Sequence, residues 1–183
     1  MKKILVPTDF SKSAEHALKV AAQIAKKNNG EILLIHMLEL PTSGNDAVSS
    51  SHDIPELMLF KNAALNKLEE IMNADFLKGI NVSKVIQFEM AFDGILKSGK
   101  AHNADLIVMG SHGASGFQEM FIGSNTEKVV RNSTRPVIVV KRDSKKFKMK
   151  YTREQIQSTV EDKGYKYFQD NNNKSYDVNI IGI

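Results

Sequence analysis

Two hydrophobic patterns alternate along the chain. Short, largely apolar runs recur four times in the first 142 residues, Lys3-Ile4-Leu5-Val6, Glu31 to Leu38, Asp105 to Met109, and Val137-Ile138-Val139-Val140, and the more mixed Val82 to Phe88 reads as a further strand. Continuous runs of this kind suit strands of a parallel sheet, which helices cover on both faces. Between them apolar residues recur at helical spacing. The first such stripe is Ala14, Ala17, Leu18, Ala21, Ile24 and Ala25, with Ser11 or Ser13 expected to cap it and Gly30 to end it. The second is Leu57, Leu59, Phe60, Ala64, Leu65, Leu68, Ile71 and Met72, with Pro55 in its first turn and Gly79 beyond it. Asp93 is expected to cap a third helix holding Ile95, Leu96 and Ala101, and residues 125–131 form a fourth. The order β-α-β-α-β-α-β-α-β predicts an α/β fold, a doubly wound five-stranded parallel sheet with helices on both faces. Ligands bind such sheets outside the carboxyl ends of the strands, at the switch point, and Asp9, Met37 and Gly110 all fall at carboxyl ends.

Beyond Lys145 the pattern changes. Thr152-Arg153-Glu154-Gln155 matches a capping box, Ile156 and Val160 give a thin apolar face, and Gly164 ends a short helix. Tyr165 to Phe168 and Tyr176 to Ile181 read as two strands around the Asn171-Asn172-Asn173 turn. The chain therefore divides into a main domain, residues 1–142, and a small C-terminal α+β extension, residues 143–183, in which no chemistry is identifiable and whose residues 151–183 are expected to pack as a small appendage. Pro41 to Asp53, rich in Ser, Gly, Asn and Asp, reads as a loop.

Composition narrows the function. The 25 basic and 21 acidic residues leave a net charge of only +4, and the extension carries eight basic and six acidic residues, so the charge is not segregated. A basic nucleic-acid stripe is not supported, and the run Lys141 to Lys150 reads as a solvated boundary. No cysteine is present, which excludes disulfides, zinc-thiolate sites and thiol nucleophiles and fits a reducing compartment. No apolar stretch approaches a membrane span and the start MKKILVPTDF is too short for a signal segment, so no membrane role and a cytoplasmic location are expected.

The stretch Met109 to Ser124, MGSHGASGFQEMFIGS, carries the candidate chemistry. Gly110, Gly113 and Gly123 stand at spacing G-x2-G-x9-G with Ser124 next, between a strand and a helix. Glycines let the backbone approach a phosphate, and the first N–H groups of the following helix point at it. Glycines also mark ordinary turns, so spacing alone leaves both readings open. Neither a G-x4-G-K-[ST] loop nor a G-x-G-x-x-G fingerprint after the first strand occurs. His36 reads as a core histidine and His112 as a phosphate neighbour; neither has a Ser/Asp partner in sequence, so no catalytic residue is assigned.

The opening KKILVPTDFSKSAEHAL, the strand ending IHM and DLIVMGSHGASGFQEMFIGSNTEKVVRNSTRPVIVVK together resemble the universal stress protein family over residues 1–142. The complete G-x2-G-x9-G-S loop resembles the family's ATP-binding branch. The resemblance implies a Rossmann-like, adenine nucleotide alpha hydrolase-like fold and a cytoplasmic, stress-response regulatory protein in which ATP occupancy controls partner interactions. It implies that Gly110, Gly113, Gly123, Ser124 and Asn125 hold phosphates and that Asp9, after Pro7 and Thr8, holds the ribose hydroxyls. Met37 would meet adenine through its backbone, and Met109 would lie at the base of the pocket. By its residues alone Asp9 also fits a plain helix cap. Mg²⁺ or Mn²⁺ is expected to accompany the triphosphate, ligated mostly by phosphate and water. The resemblance further implies a homodimer through Val137–Val140 as an outermost strand. The alternatives are a slow ATP-hydrolysing or phosphoryl-transferring enzyme and a nucleotide-independent interaction scaffold; at most slow turnover is expected, because the loop holds no lysine and no arginine stands near it in sequence.

Overall fold

The computed structural model describes residues 2–39, 53–112, 122–142, 165–169 and 175–181, with only the backbone course for 53–56, 142 and the last two segments. Its strands are β1 (Lys3–Pro7), β2 (Glu31–Met37), β3 (Asn81–Gln87), β4 (Leu106–Gly110), β5 (Val137–Arg142), β6 (Tyr165–Gln169) and β7 (Ser175–Ile181). Its helices are α1 (Lys12–Asn28), α2 (Asp53–Met72), α3 (Ala91–Ala101) and α4 (Ser124–Asn132), with a 3-10 turn at Asp75–Leu77. All strands join one sheet in the order β3-β2-β1-β4-β5-β7-β6. The first five run parallel, as the alternating pattern predicts.

Pleating sorts the strand residues onto two faces with a period of two. Ile4 and Val6, Ile32 and Leu34, Leu106 and Val108, and Ile138 and Val140 pack with the α1 residues Ala17, Leu18, Ala21 and Ile24 and with Leu68 of α2. Their neighbours Leu5, Leu33, Ile35, Ile107, Met109, Val137 and Val139 pack on the other face with Ile95 of α3 and Val129 of α4. Alanines along α1 let it lie close over the sheet, and all six residues of its predicted stripe are buried. Ser11 caps it, its side chain accepting from Ala14 N–H at 3.2 Å.

Several expectations shift. Asn29, at φ 50°, ends α1 in the left-handed region where Asn is tolerated, and Gly30 only follows it. In α2, Ala64 and Leu68 are buried while Leu59 and Phe60 are 69% and 56% exposed, so the N-terminal part of the predicted stripe does not reach the sheet. Asp93 lies in the first turn of α3, one turn inside the actual cap, Met90. The expected loop at 41–52, the capping box at 152–155 and Gly164 lie outside the described residues. Among the described residues no helix is long and apolar enough to cross a membrane.

The largest correction concerns the edge. Val137–Val140 was expected outermost and paired with its twin, but β5 has β4 on one side and β7 on the other. The two C-terminal strands form as expected and extend the main sheet antiparallel, β7 against β5 and β6 against β7.

The start of β1 is tied across the chain. The Asp105 carboxylate accepts Lys3 N–H at 3.0 Å and Lys2 N–H at 2.6 Å, and these two backbone bonds hold its pKa below the ordinary value. A depressed carboxylate pKa adds stability above the unfolded value, about 3.9, and that increment is lost as pH falls through the folded value. Asp105→Ala is therefore expected to lower the urea midpoint modestly at pH 7, with the gap to wild type closing below about pH 4. A gap that stays constant from pH 7 to pH 2 would contradict this role.

Candidate functional site

The order β2-β1-β4 places a reversal between β1 and β4, since the chain proceeds outward from β1 in one direction to β3 and in the other to β5. Over the carboxyl ends of these strands lies a cavity of about 410 Å³, within the size range of small-molecule sites. Pro7, Thr8, Asp9, Met37, Met109, Gly110, Gly123, Ser124 and Asn125, nine of the ten positions singled out from the sequence, line this one cavity. Gly113 lies outside the described residues.

The β1 end is a braced turn. Thr8 N–H donates to Ile35 O at 2.8 Å, Phe10 N–H to Thr8 Oγ1 at 3.1 Å, and Ser11 N–H to Asp9 Oδ1 at 3.0 Å. Asp9 thus caps its own turn with one oxygen, while among the described residues no bond reaches Oδ2. Phe10 sits at φ 64°, a left-handed conformation that costs a non-glycine residue on the order of 1 kcal/mol or more. Its ring holds that position between His36, 4.3 Å away centroid to centroid, and the Lys67 ammonium, 5.2 Å from the ring centre.

At the β2 end, His36 Nδ1 lies 2.8 Å from Thr8 O. A carbonyl only accepts, so Nδ1 carries the proton. His36 is thus satisfied, as expected, but it also lines the cavity. Met37 packs its thioether against α3 at Gly94, where a Cβ would come within 2.5 Å of Sδ, and its side chain joins the core. Glu39 Oε1 accepts Ala91 N–H at 2.8 Å and so caps α3, whose own cap residue offers no side-chain bond. Glu39, Ala91 and Ile95 complete the wall here, and sequence reasoning missed them as site residues. Glu39 directly follows the run Glu31 to Leu38 that predicts β2, at the ligand face, which was the one available signal.

The β4 end closes on itself. Gly123 N–H donates to Ser111 O at 2.7 Å, and Ser111 N–H to Val140 O at 2.9 Å, so the two sides of the glycine loop are drawn together beside β5. Buried Thr126 donates through Oγ1 to Gly110 O at 3.0 Å, locking α4 onto β4. His112 Nδ1 stands 2.9 Å from Ser111 Oγ. Gly110 is required by packing: a Cβ there would lie 2.8 Å from the Ser13 carbonyl carbon and 2.9 Å from its oxygen. Helical bonding in α4 begins with Glu127 N–H to Gly123 O, and Gly123 gives no side-chain cap. The N–H groups of Ser124, Asn125 and Thr126 precede that bond on residues that line the cavity, and N–H groups in the first turn of a helix have no partner within the helix. Among the described residues no group of three or more His, Asp and Glu side chains converges to cage a metal ion.

The model of the universal stress protein family matches residues 1–141. The chain belongs to that family. It is 34% identical over 160 residues to universal stress protein MJ0577 of Methanocaldococcus jannaschii, covering 77% of this chain and 95% of the relative. The solved structure of hypothetical protein MJ0577 superposes with a TM-score of 0.55 at 33% identity over 79% of this chain and 98% of that one. A universal stress protein solved in complex with cAMP, 21% identical, shares the fold with a TM-score of 0.56 over 75% of this chain and 95% of that one. Strands β6 and β7 lie beyond the family match.

Proposed function

We propose that this universal stress protein binds ATP in the cavity and that occupancy controls what the protein associates with. The observation that carries the reading is the pairing of a carboxylate, Asp9, with the uncapped start of α4 across the switch point. An adenosine triphosphate would put its phosphates against Ser124, Asn125 and the glycine loop, Gly113 included, and its ribose hydroxyls against Asp9. Because β2 and β4 flank β1, the base would fall at the β2 end, two strand spacings or roughly 10 Å from the phosphates, against the backbone of Met37 and the apolar wall of Ile35, Ile95 and Met109. The bound triphosphate would carry Mg²⁺ or Mn²⁺ with it, held mainly by phosphate and water. Residues 1–142 would form this nucleotide-binding domain. The phosphate end is built of backbone N–H groups and hydroxyls, which suit holding a polyphosphate better than neutralising the charge of its transfer.

Calorimetry on the purified full chain, together with assay of nucleotide released by heating, tests the reading: ATP binding is expected, and its absence overturns the proposal. Gly123→Val should abolish binding. Gly123 has φ −69°, a backbone that any residue adopts, so the loss would report lost space for the phosphate rather than strain. Phosphate release with Mg²⁺ is expected below the ordinary enzymatic range of about 1–10³ s⁻¹, and a rate inside that range would favour an enzyme.

A further inference from the structure

The side of β5 away from β4 belongs to four consecutive apolar residues, and the chain covers it with its own C-terminal strands. Val137, Ile138, Val139 and Val140 are all under 5% exposed. On their far side β7 runs antiparallel through six register pairs, from Val137 opposite Ile181 to Arg142 opposite Tyr176. Four of the six pairs match in residue type, the exceptions being Val139 opposite Asn179 and Arg142 opposite Tyr176. Ile181, Ile180 and Val178 stand opposite Val137, Ile138 and Val140, and Asp177 opposite Lys141, an opposite-charge position of the kind that favours one register. Without β7, β5 would present a row of unpaired N–H and C=O groups on four consecutive β-branched residues, a template for pairing with another chain. The strand left outermost is instead β6, Tyr165–Gln169, which is short and carries Lys166, features that blunt an edge. Both strands lie beyond the residues that the family model matches.

We propose that the β6–β7 hairpin is an internal stand-in for a partner strand: it caps β5 within one chain, keeps the full-length protein from self-associating through Val137–Val140, and its release opens that edge to a second copy of this chain. The proposal is independent of nucleotide binding. The occupant of the opened edge is a second copy because β5 is itself a β-branched strand and an antiparallel neighbour satisfies its backbone, as β7 does. Two such strands meeting at a two-fold axis make a self-complementary patch.

The absence of cysteine allows a clean test. Register partners in an antiparallel pair have Cα atoms about 4.5–5.5 Å apart, inside the span of a disulfide. In Lys141→Cys/Asp177→Cys full-length protein, oxidation is expected to give a disulfide within one chain, and light scattering the mass of one chain. A covalent dimer on oxidation, or the mass of two chains for the wild-type protein, overturns the proposal. Val178→Pro/Ile180→Pro, which removes two N–H donors and bends β7 away, should double the scattering mass. A chain ending at Arg142, which keeps every residue of the family match, gives the same readout by a second route. A one-chain mass for either released form overturns the proposal, and the oxidation result decides the question should the proline variant fail to fold.

Discussion

Gly110→Ala is expected to lower the free energy of unfolding by about 1–3 kcal/mol, the range for forcing one extra carbon into a filled site, and to abolish nucleotide binding with it. The added Cβ would stand 2.8 Å and 2.9 Å from the carbonyl carbon and oxygen of Ser13. Those are backbone atoms in the first turn of α1, so no rotamer change relieves the clash, and either the end of β4 or the start of α1 must move. Both carry walls of the cavity, and Gly110 O also accepts the buried Thr126 hydroxyl. Gly99→Ala makes the contrasting case. Its Cβ would meet Ile107 Cδ1 at 3.5 Å, an ordinary contact, and alanine in a helix interior gains about 0.5–1 kcal/mol over glycine. Urea midpoints of the two variants should therefore move in opposite directions. An unchanged midpoint for Gly110→Ala would refute the packing argument.

Asp9→Asn is expected to weaken ATP binding about tenfold or more without changing stability. Hydrogen bonds to a charged group are worth about 1.5–3 kcal/mol, and every 1.4 kcal/mol is a factor of ten. Asparagine keeps the Oδ1 acceptor that Ser11 N–H uses, so the turn holding Phe10 at its left-handed φ stays closed, while the negative charge offered to ribose hydroxyls is gone. The two readings of this residue separate on two measurements. Calorimetry with a raised Kd and an unmoved melting temperature supports the ribose role. An unchanged Kd assigns Asp9 to capping alone.

Most strands and the α1 stripe were legible because burial on two faces leaves continuous apolar runs, and α1 packs on the sheet along its whole length. What escaped depends on contacts distant in sequence. The first turn of α3 is capped by Glu39, 52 residues before Ala91, whereas the local pattern offers only Asp93. Leu59 and Phe60 keep helical spacing with Ala64 and Leu68, but periodicity says which residues share a face and not how far along the helix the sheet extends. Val178, Ile180 and Ile181 read correctly as strand; that their partner is β5 follows from no local pattern. Of the residues that line the cavity, Gly110, Gly123 and Ser124 were legible because a glycine-bearing loop ahead of a helix start is a local pattern, and Asp9 because it follows a strand end. Ala91 and Ile95 were not, because they are small or apolar wall residues brought in by the packing of α3.

The central position of β1 bears on how the protein is made. It leaves the ribosome before both of its neighbours, β2 and β4, and Ile4 and Leu5 pair with Leu106 and Ile107. The tie from Lys2 N–H to Asp105 spans 103 residues. At 5–20 residues per second β4 emerges roughly 5–20 s after β1, and pairings so distant in sequence are slow to close. Through that interval the nascent chain holds Ile4, Leu5 and Val6 on an open edge. Mispairing and capture by chaperones should therefore act on the half-synthesised protein rather than on the finished one.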